Sequence, residues 1–314
     1  MSRRNFKERI EAWGKFFKHD IWINDWSEVN RFKSNIIRHI KITILTFKNI
    51  NSQRLVQEAV GLSFNTILGS VPLVAITLYI ASKFSLDDTL RVLIYQNLSD
   101  LVNQNILDLI LEWSNNFIKS VNSGWFGLIG LFTFGWLIIL IMTSVEGAFN
   151  HVWNTNKSRN IIKRFSIYLA IIFLAPFIVI LFLQGIATFS GFITVLAEYK
   201  FFSIFSSLLY LVALFILSIV IFSLMYKFIP NTYVEYRSCL KAALITSVAF
   251  IVVQYLYLGT QLMVTRLNAV YGAFAAIPLA MIWVNMCWNV ILIGASLCRA
   301  YQHVDDYIPE IDNI

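Results

Sequence analysis

Charge is what this sequence has least of. Only 14% of its 314 residues are Asp, Glu, Lys or Arg, against about 25% in an ordinary soluble domain, which argues against a soluble fold. Cysteine is scarce too. Cys239, Cys287 and Cys298 form no CxxC and no ligand spacing, so neither a disulfide framework nor a zinc site is expected. Four histidines, His19, His39, His151 and His303, stand far apart. No HExxH, GxSxG, Walker loop or EF-hand loop occurs. The carboxylates lie outside the apolar runs, except Glu146 at the end of one, so no acid pair or proton relay is read. No catalytic residue, metal or cofactor is therefore expected, and the chain is not read as an enzyme. Its first 58 residues are polar and charged, and no cleavable leader is expected.

What is abundant is hydrocarbon. Hydrophobic residues make up 58% of the chain and the mean hydropathy is +0.67. The run Tyr271 to Leu297 contains no charge and is long enough to cross a hydrocarbon core of ~30 Å as a helix. Gly272, Ala276 and Ala280 recur every four residues, a stripe on which another helix can pack closely. The sequence reads as an all-α polytopic membrane protein with six transmembrane helices, about 59–81, 124–145, 166–190, 202–229, 238–264 and 273–298. A basic arm, 1–58, precedes this domain and a short acidic tail, 299–314, follows it. Residues 85–121 are too polar to span, and their leucines and isoleucines fall on helical faces. They are read as an outer amphipathic hairpin. In the arm, Phe6, Ile10, Trp13 and Phe17 mark an amphipathic helix, and Ile36 to Ile50 a second one at the membrane interface. Pro72, Pro176 and Pro278 are expected to kink their spans.

Six spans put both termini on one side. That side holds 20 of the 25 Lys and Arg residues and the other side five, so both ends are expected in the cytoplasm. The net charge of +7 is thereby explained without nucleic acid.

Polar residues inside spans face protein or water by default. The candidate polar interior, or substrate path, comprises Ser63, Asn65, Thr66, Ser70, Gln184, Gln254, Gln261, Asn285 and Asn289. Each alone also fits interhelical packing; their number suggests a path for a neutral or amphipathic molecule. Arg266, the basic residue of the short loop before Tyr271, is a candidate headgroup contact.

Three stretches resemble the YihY/BrkB family of bacterial inner-membrane proteins. They are Thr66, Leu68, Ser70, Val71, Pro72 and Leu73; AFNHVWN from Ala148; and YGAFAAIPLAMIW from Tyr271 with ILIGASL from Ile291. The resemblance covers about Ala59 to Leu297 and implies a six-helix protein of the inner membrane. Family members often carry glutamate where this chain has Ser296, and a tyrosine shortly after Trp283 where it has Asn285. The family has been linked to serum resistance and envelope lipid handling, and it bears an older label, ribonuclease BN. These residues offer no cluster for RNA cleavage. The leading expectation is a transporter or flippase-like protein for a lipid or other amphipathic envelope molecule, with membrane lipid as its partner. The alternative is a scaffold that docks an envelope-assembly protein through the outer hairpin or the arm. Ribonuclease activity ranks last.

Overall fold

The computed structural model describes residues 21–23, 31–52, 55–83, 125–155, 203–264 and 269–307, with isolated positions between 92 and 166. Within them the chain is all helical: α1 (Ile21–Ile23), α2 (Arg31–Ser52), α3 (Leu55–Lys83), α4 (Trp125–Val152), α5 (Ser203–Phe228), α6 (Tyr236–Val264) and α7 (Ala269–His303). The expected spans at 59–81, 202–229, 238–264 and 273–298 coincide with α3, α5, α6 and α7 to within a few residues. The 166–190 span, the 85–121 hairpin and the 6–17 helix lie outside the described residues, isolated positions aside. Among the described residues, Gly135–Val152, Tyr236–Thr260 and Pro278–His303 are long and apolar enough to cross a membrane, and Leu214–Phe228 is a shorter apolar helix.

The packing runs opposite to that of a water-soluble bundle. Leu240, Leu244, Val248 and Val252, one every four residues, are among the exposed side chains of α6, with Ile245, Tyr255 and Leu256 beside them. Its buried side chains are mostly small, Ser238, Cys239, Ala242, Ala243, Thr246 and Ser247, with Tyr257 the large exception. Apolar residues outward and small ones inward suit a solvent of lipid tails, where close helix approach supplies the attraction. Cys239 and Cys298, on facing helices, are free thiols with sulfurs 3.8 Å apart.

Among the described residues, helix α7 is the hub and touches all five other long helices. Its Gly294 marks a close approach. A Cβ there would overlap the Tyr226 hydroxyl and Thr246 Oγ1, so glycine lets α5 and α6 close onto α7. Tyr226 is fully buried between Phe149 and Phe222.

Helix α4 differs from the reading that ended its span at Val145. It continues for two more turns through EGAFNHV, and Glu146 is buried there. The end is a Schellman motif. Asn154 takes φ 54°, its N–H donates to His151 O at 2.9 Å, and Thr155 N–H donates to Asn150 O at 2.9 Å. Ala148, Phe149, Val152 and Trp153 join the main core. The Asn150 side chain accepts from Asn231 N–H at 2.7 Å, tying α4 to the α5–α6 turn. Arg299 of α7 donates to Val152 O at 2.9 Å.

The same end of the bundle receives α2. Ile42 and Leu45 pack on Ala300 and Val304 at the C-terminal end of α7. Arg38 pairs with Asp305 at 2.8 Å, and Lys48 donates to Tyr307 at 2.7 Å. The basic arm and the acidic tail thus hold each other.

Candidate functional site

The sequence-derived polar residues fall at three different interfaces. The first is the α3–α7 seam. Asn285 donates to Ser63 Oγ at 3.3 Å, and the Trp288 indole donates to Thr66 Oγ1 at 2.9 Å. Asn289 donates back to Asn285, to its carbonyl at 2.8 Å and its amide oxygen at 3.0 Å. Ser63 and Thr66 give their own protons to the carbonyls of Val60 and Leu62, so each hydroxyl both donates and accepts. The second interface is α6–α7, where Gln254 accepts from the Trp283 indole at 3.1 Å and Tyr257 stacks on Trp283. The third is α3–α4, where Asn65 donates to Ser144 Oγ at 3.1 Å. Ser70 satisfies its own helix, donating to Ile67 O.

Pro278 lies exposed inside α7 and Ala280 is half-buried. Pro72 falls within α3, Gln261 within α6, and Gly272 and Ala276 within α7, but their side chains lie outside the described set. Gln184, Pro176 and Arg266 lie outside the described residues altogether. Ser296, fully buried, faces Thr46 O of α2 at 3.5 Å.

The α3–α4 interface holds open space. A cleft of about 330 Å³ is lined by Glu58, Gly61, Leu62 and Asn65 from α3 and by Ser144, Gly147, Ala148 and His151 from α4. Leu62 and Ala148 form its buried floor. A Cβ on Gly61 or Gly147 would meet nothing within 4 Å, so both glycines widen the cleft without serving the packing. His151 Nδ1 and Glu58 Oε1 lie 2.9 Å apart at its mouth, the imidazole 63% and the carboxylate 33% exposed. Asn65 and Ser144 sit two helical turns from that pair, roughly 10 Å at 1.5 Å per residue. The cleft is thus polar at both ends and apolar on its floor.

Glu58, Ser144, Gly147 and His151 escaped the sequence reading. A signal existed. Glu58, Gly61, Leu62 and Asn65 fall at positions 0, 3, 4 and 7, and Ser144, Gly147, Ala148 and His151 repeat that spacing. Each set is polar–glycine–apolar–polar on one helical face, and antiparallel helices bring the faces together in reverse order. Glu58 sat at the nominal arm boundary, and His151 had no histidine partner to draw attention to it.

The family described as "Virulence factor BrkB" matches residues 46–311. A "UPF0761 membrane protein" of Janthinobacterium sp. (strain Marseille) is 28% identical over 257 residues, 81% of this chain and 58% of its own length. One from Glaesserella parasuis serovar 5 (strain SH0165) is 26% identical over 69% of this chain and 74% of its own length. One from Haemophilus influenzae (strain 86-028NP) is 24% identical over 85% of this chain and 97% of its own length. The chain therefore spans little more than half of the Janthinobacterium protein and nearly all of the Haemophilus one. No solved structure matches it.

Proposed function

The chain belongs to the virulence factor BrkB family of membrane proteins, and on that footing we propose that it moves a lipid or another amphipathic envelope molecule across a bacterial inner membrane. The observation that carries this reading is the α3–α4 cleft. It has polar ends, an apolar floor and two glycines that leave its flank open. A molecule with a polar head and hydrocarbon tails matches that division. A purely structural contact would have filled the space, since membrane helices associate by close packing.

Six spans, both termini in the cytoplasm and the 85–121 hairpin outside belong to the same proposal. Charge distribution supports this orientation, and α3 starts and α4 ends on the side that also holds α2 and the tail. The cleft mouth then opens at the cytoplasmic leaflet. Helix α2 is read as an interfacial helix. Phe32, Ile36 and Phe47 are exposed along one stripe, roughly opposite Ile42 and Leu45, and would seat in that leaflet. The seam residues Ser63, Thr66, Asn285 and Asn289, together with Gln254 and, on the outer side, Arg266, are the further polar positions proposed along the path. No catalytic role is proposed for any of them.

Reconstitution tests the function. Full-length protein in vesicles carrying acyl-labelled fluorescent phospholipid is exposed to external dithionite, which bleaches outer-leaflet label. Protein-dependent bleaching of the inner-leaflet pool is the expected result. Bleaching equal to that of empty vesicles across all headgroups and amphiphiles tried sinks the transport reading. Co-purification of an envelope protein that Phe32→Asp or Phe47→Asp abolishes would then favour the scaffold reading.

A further inference from the structure

We propose that the α3–α4 cleft selects a zwitterionic aminophospholipid headgroup, with Glu58 receiving the primary ammonium and His151 the phosphate. This rests on the amphiphile-transport reading above and names the substrate class.

The mouth of the cleft presents one acid and one imidazole 2.9 Å apart. Both side chains are solvent-accessible, and exposed ion pairs contribute little net stability. A ligand that separates them therefore forfeits little, provided it gives each a new partner. A zwitterion does so: its ammonium replaces the imidazole beside Glu58, and its phosphate replaces the carboxylate beside His151. A purely anionic head satisfies His151 but brings a second negative charge against Glu58. Among the described residues lining the cleft none is Lys or Arg, so no described lining cation offsets that repulsion.

The lining also discriminates between kinds of ammonium. Quaternary ammonium groups are recognised by aromatic faces, and none of the eight described lining residues is aromatic. A primary ammonium instead needs hydrogen-bond acceptors, and Glu58 supplies two oxygens. The volume of about 330 Å³ is at the small end of the ~300–1,000 Å³ range of ligand sites. It suits one headgroup whose chains stay in the bilayer through the open flank at Gly61 and Gly147. Asn65 and Ser144, two turns deeper, stand where the glycerol ester oxygens of such a lipid would lie.

The test uses the full-length protein in detergent and short-chain (dihexanoyl) lipids. Phosphatidylethanolamine, phosphatidylcholine, phosphatidylglycerol and free phosphoethanolamine are titrated, with binding read by native mass spectrometry. The ethanolamine lipid is expected to bind saturably and at least tenfold tighter than each of the others. Glu58→Gln should erase that preference, and Gly61→Leu, which extends into open space, should block the site without disturbing the core. Equal binding of the three lipids, or preference for the glycerol lipid, overturns the proposal. Free phosphoethanolamine binding as well as the lipid overturns its lipid part. Should Glu58→Gln not fold, retained preference in Gly61→Leu overturns the location. Movement of all headgroups without selective binding sinks this proposal and leaves the transport reading intact. Selective binding without movement does the reverse.

Discussion

Tyr226 of α5 places its hydroxyl 2.9 Å from Thr246 Oγ1 of α6 and 3.2 Å from Ile291 O of α7. Thr246 in turn donates to Ala242 O at 2.9 Å. One buried hydroxyl thus links three helices, directly over Gly294. Tyr226→Phe leaves Thr246 its own acceptor and is expected to cost about 1 kcal/mol, the net worth of a typical hydrogen bond. Gly294→Ala forces a methyl into the Tyr226 and Thr246 oxygens and should cost more, ~1–3 kcal/mol, as overpacking does. The double variant should cost less than the two effects summed, because removing the Tyr226 hydroxyl also removes an atom that the new methyl strikes. Thermal unfolding in detergent, followed by tryptophan fluorescence, checks the order. Strict additivity would place the obstruction elsewhere.

The end of α4 supports a backbone prediction. Asn154 holds φ 54°, a conformation glycine adopts freely and a β-branched residue resists. Asn154→Gly is expected to leave stability within a few tenths of a kcal/mol, while Asn154→Val should lose about 1–2 kcal/mol. Equal melting temperatures for the two variants would mean that this turn is not held as described.

These two cases show what the sequence could and could not disclose. The long apolar helices were legible because an uncharged run of twenty residues has few other uses. The last two turns of α4 were not. Glu146, Asn150 and His151 look like a loop when lipid solvation is the only criterion. Their places depend on partners far along the chain: Asn150 reaches Asn231, and His151 reaches Glu58 across 93 residues. Residues such as Asn65, Thr66, Gln254 and Asn285 could be picked out singly by their polarity, but which of them meet could not. Adjacent positions on a helix face different neighbours, so Thr66 meets Trp288 while Asn65 meets Ser144. Helical spacing tells which residues share a face, and not which helix that face meets.

The junction of arm and tail separates apolar from ionic contributions. Arg38 and Asp305 are 49% and 73% exposed, and exposed pairs contribute ~0–1 kcal/mol. Leu45 is buried against Ala300 and Val304, and a buried Leu→Ala costs ~2–5 kcal/mol. Leu45→Ala is expected to expose α2 to limited proteolysis in vesicles, and Asp305→Asn to leave the cleavage rate nearly unchanged. Faster cleavage of Asp305→Asn than of Leu45→Ala would make the ionic contact the principal fastening of the arm.

The glycines of the cleft allow space to be changed while the core stays fixed. Gly147→Leu points into a volume where nothing lies within 4 Å, and removing a helical glycine stabilises the helix by roughly 0.5–1 kcal/mol. Its melting temperature should equal or exceed that of the unsubstituted protein, while dithionite-accessible lipid movement falls severalfold. Gly135→Leu is the matched control, because Gly135 lies on the same helix, also faces open space and lines no part of the cleft. It should gain the same stability and keep its rate of movement. A loss of rate shared by both variants would trace the effect to the stiffness of α4. A loss confined to Gly147→Leu requires the cleft itself to be the route, since the two substitutions differ only in which space they fill.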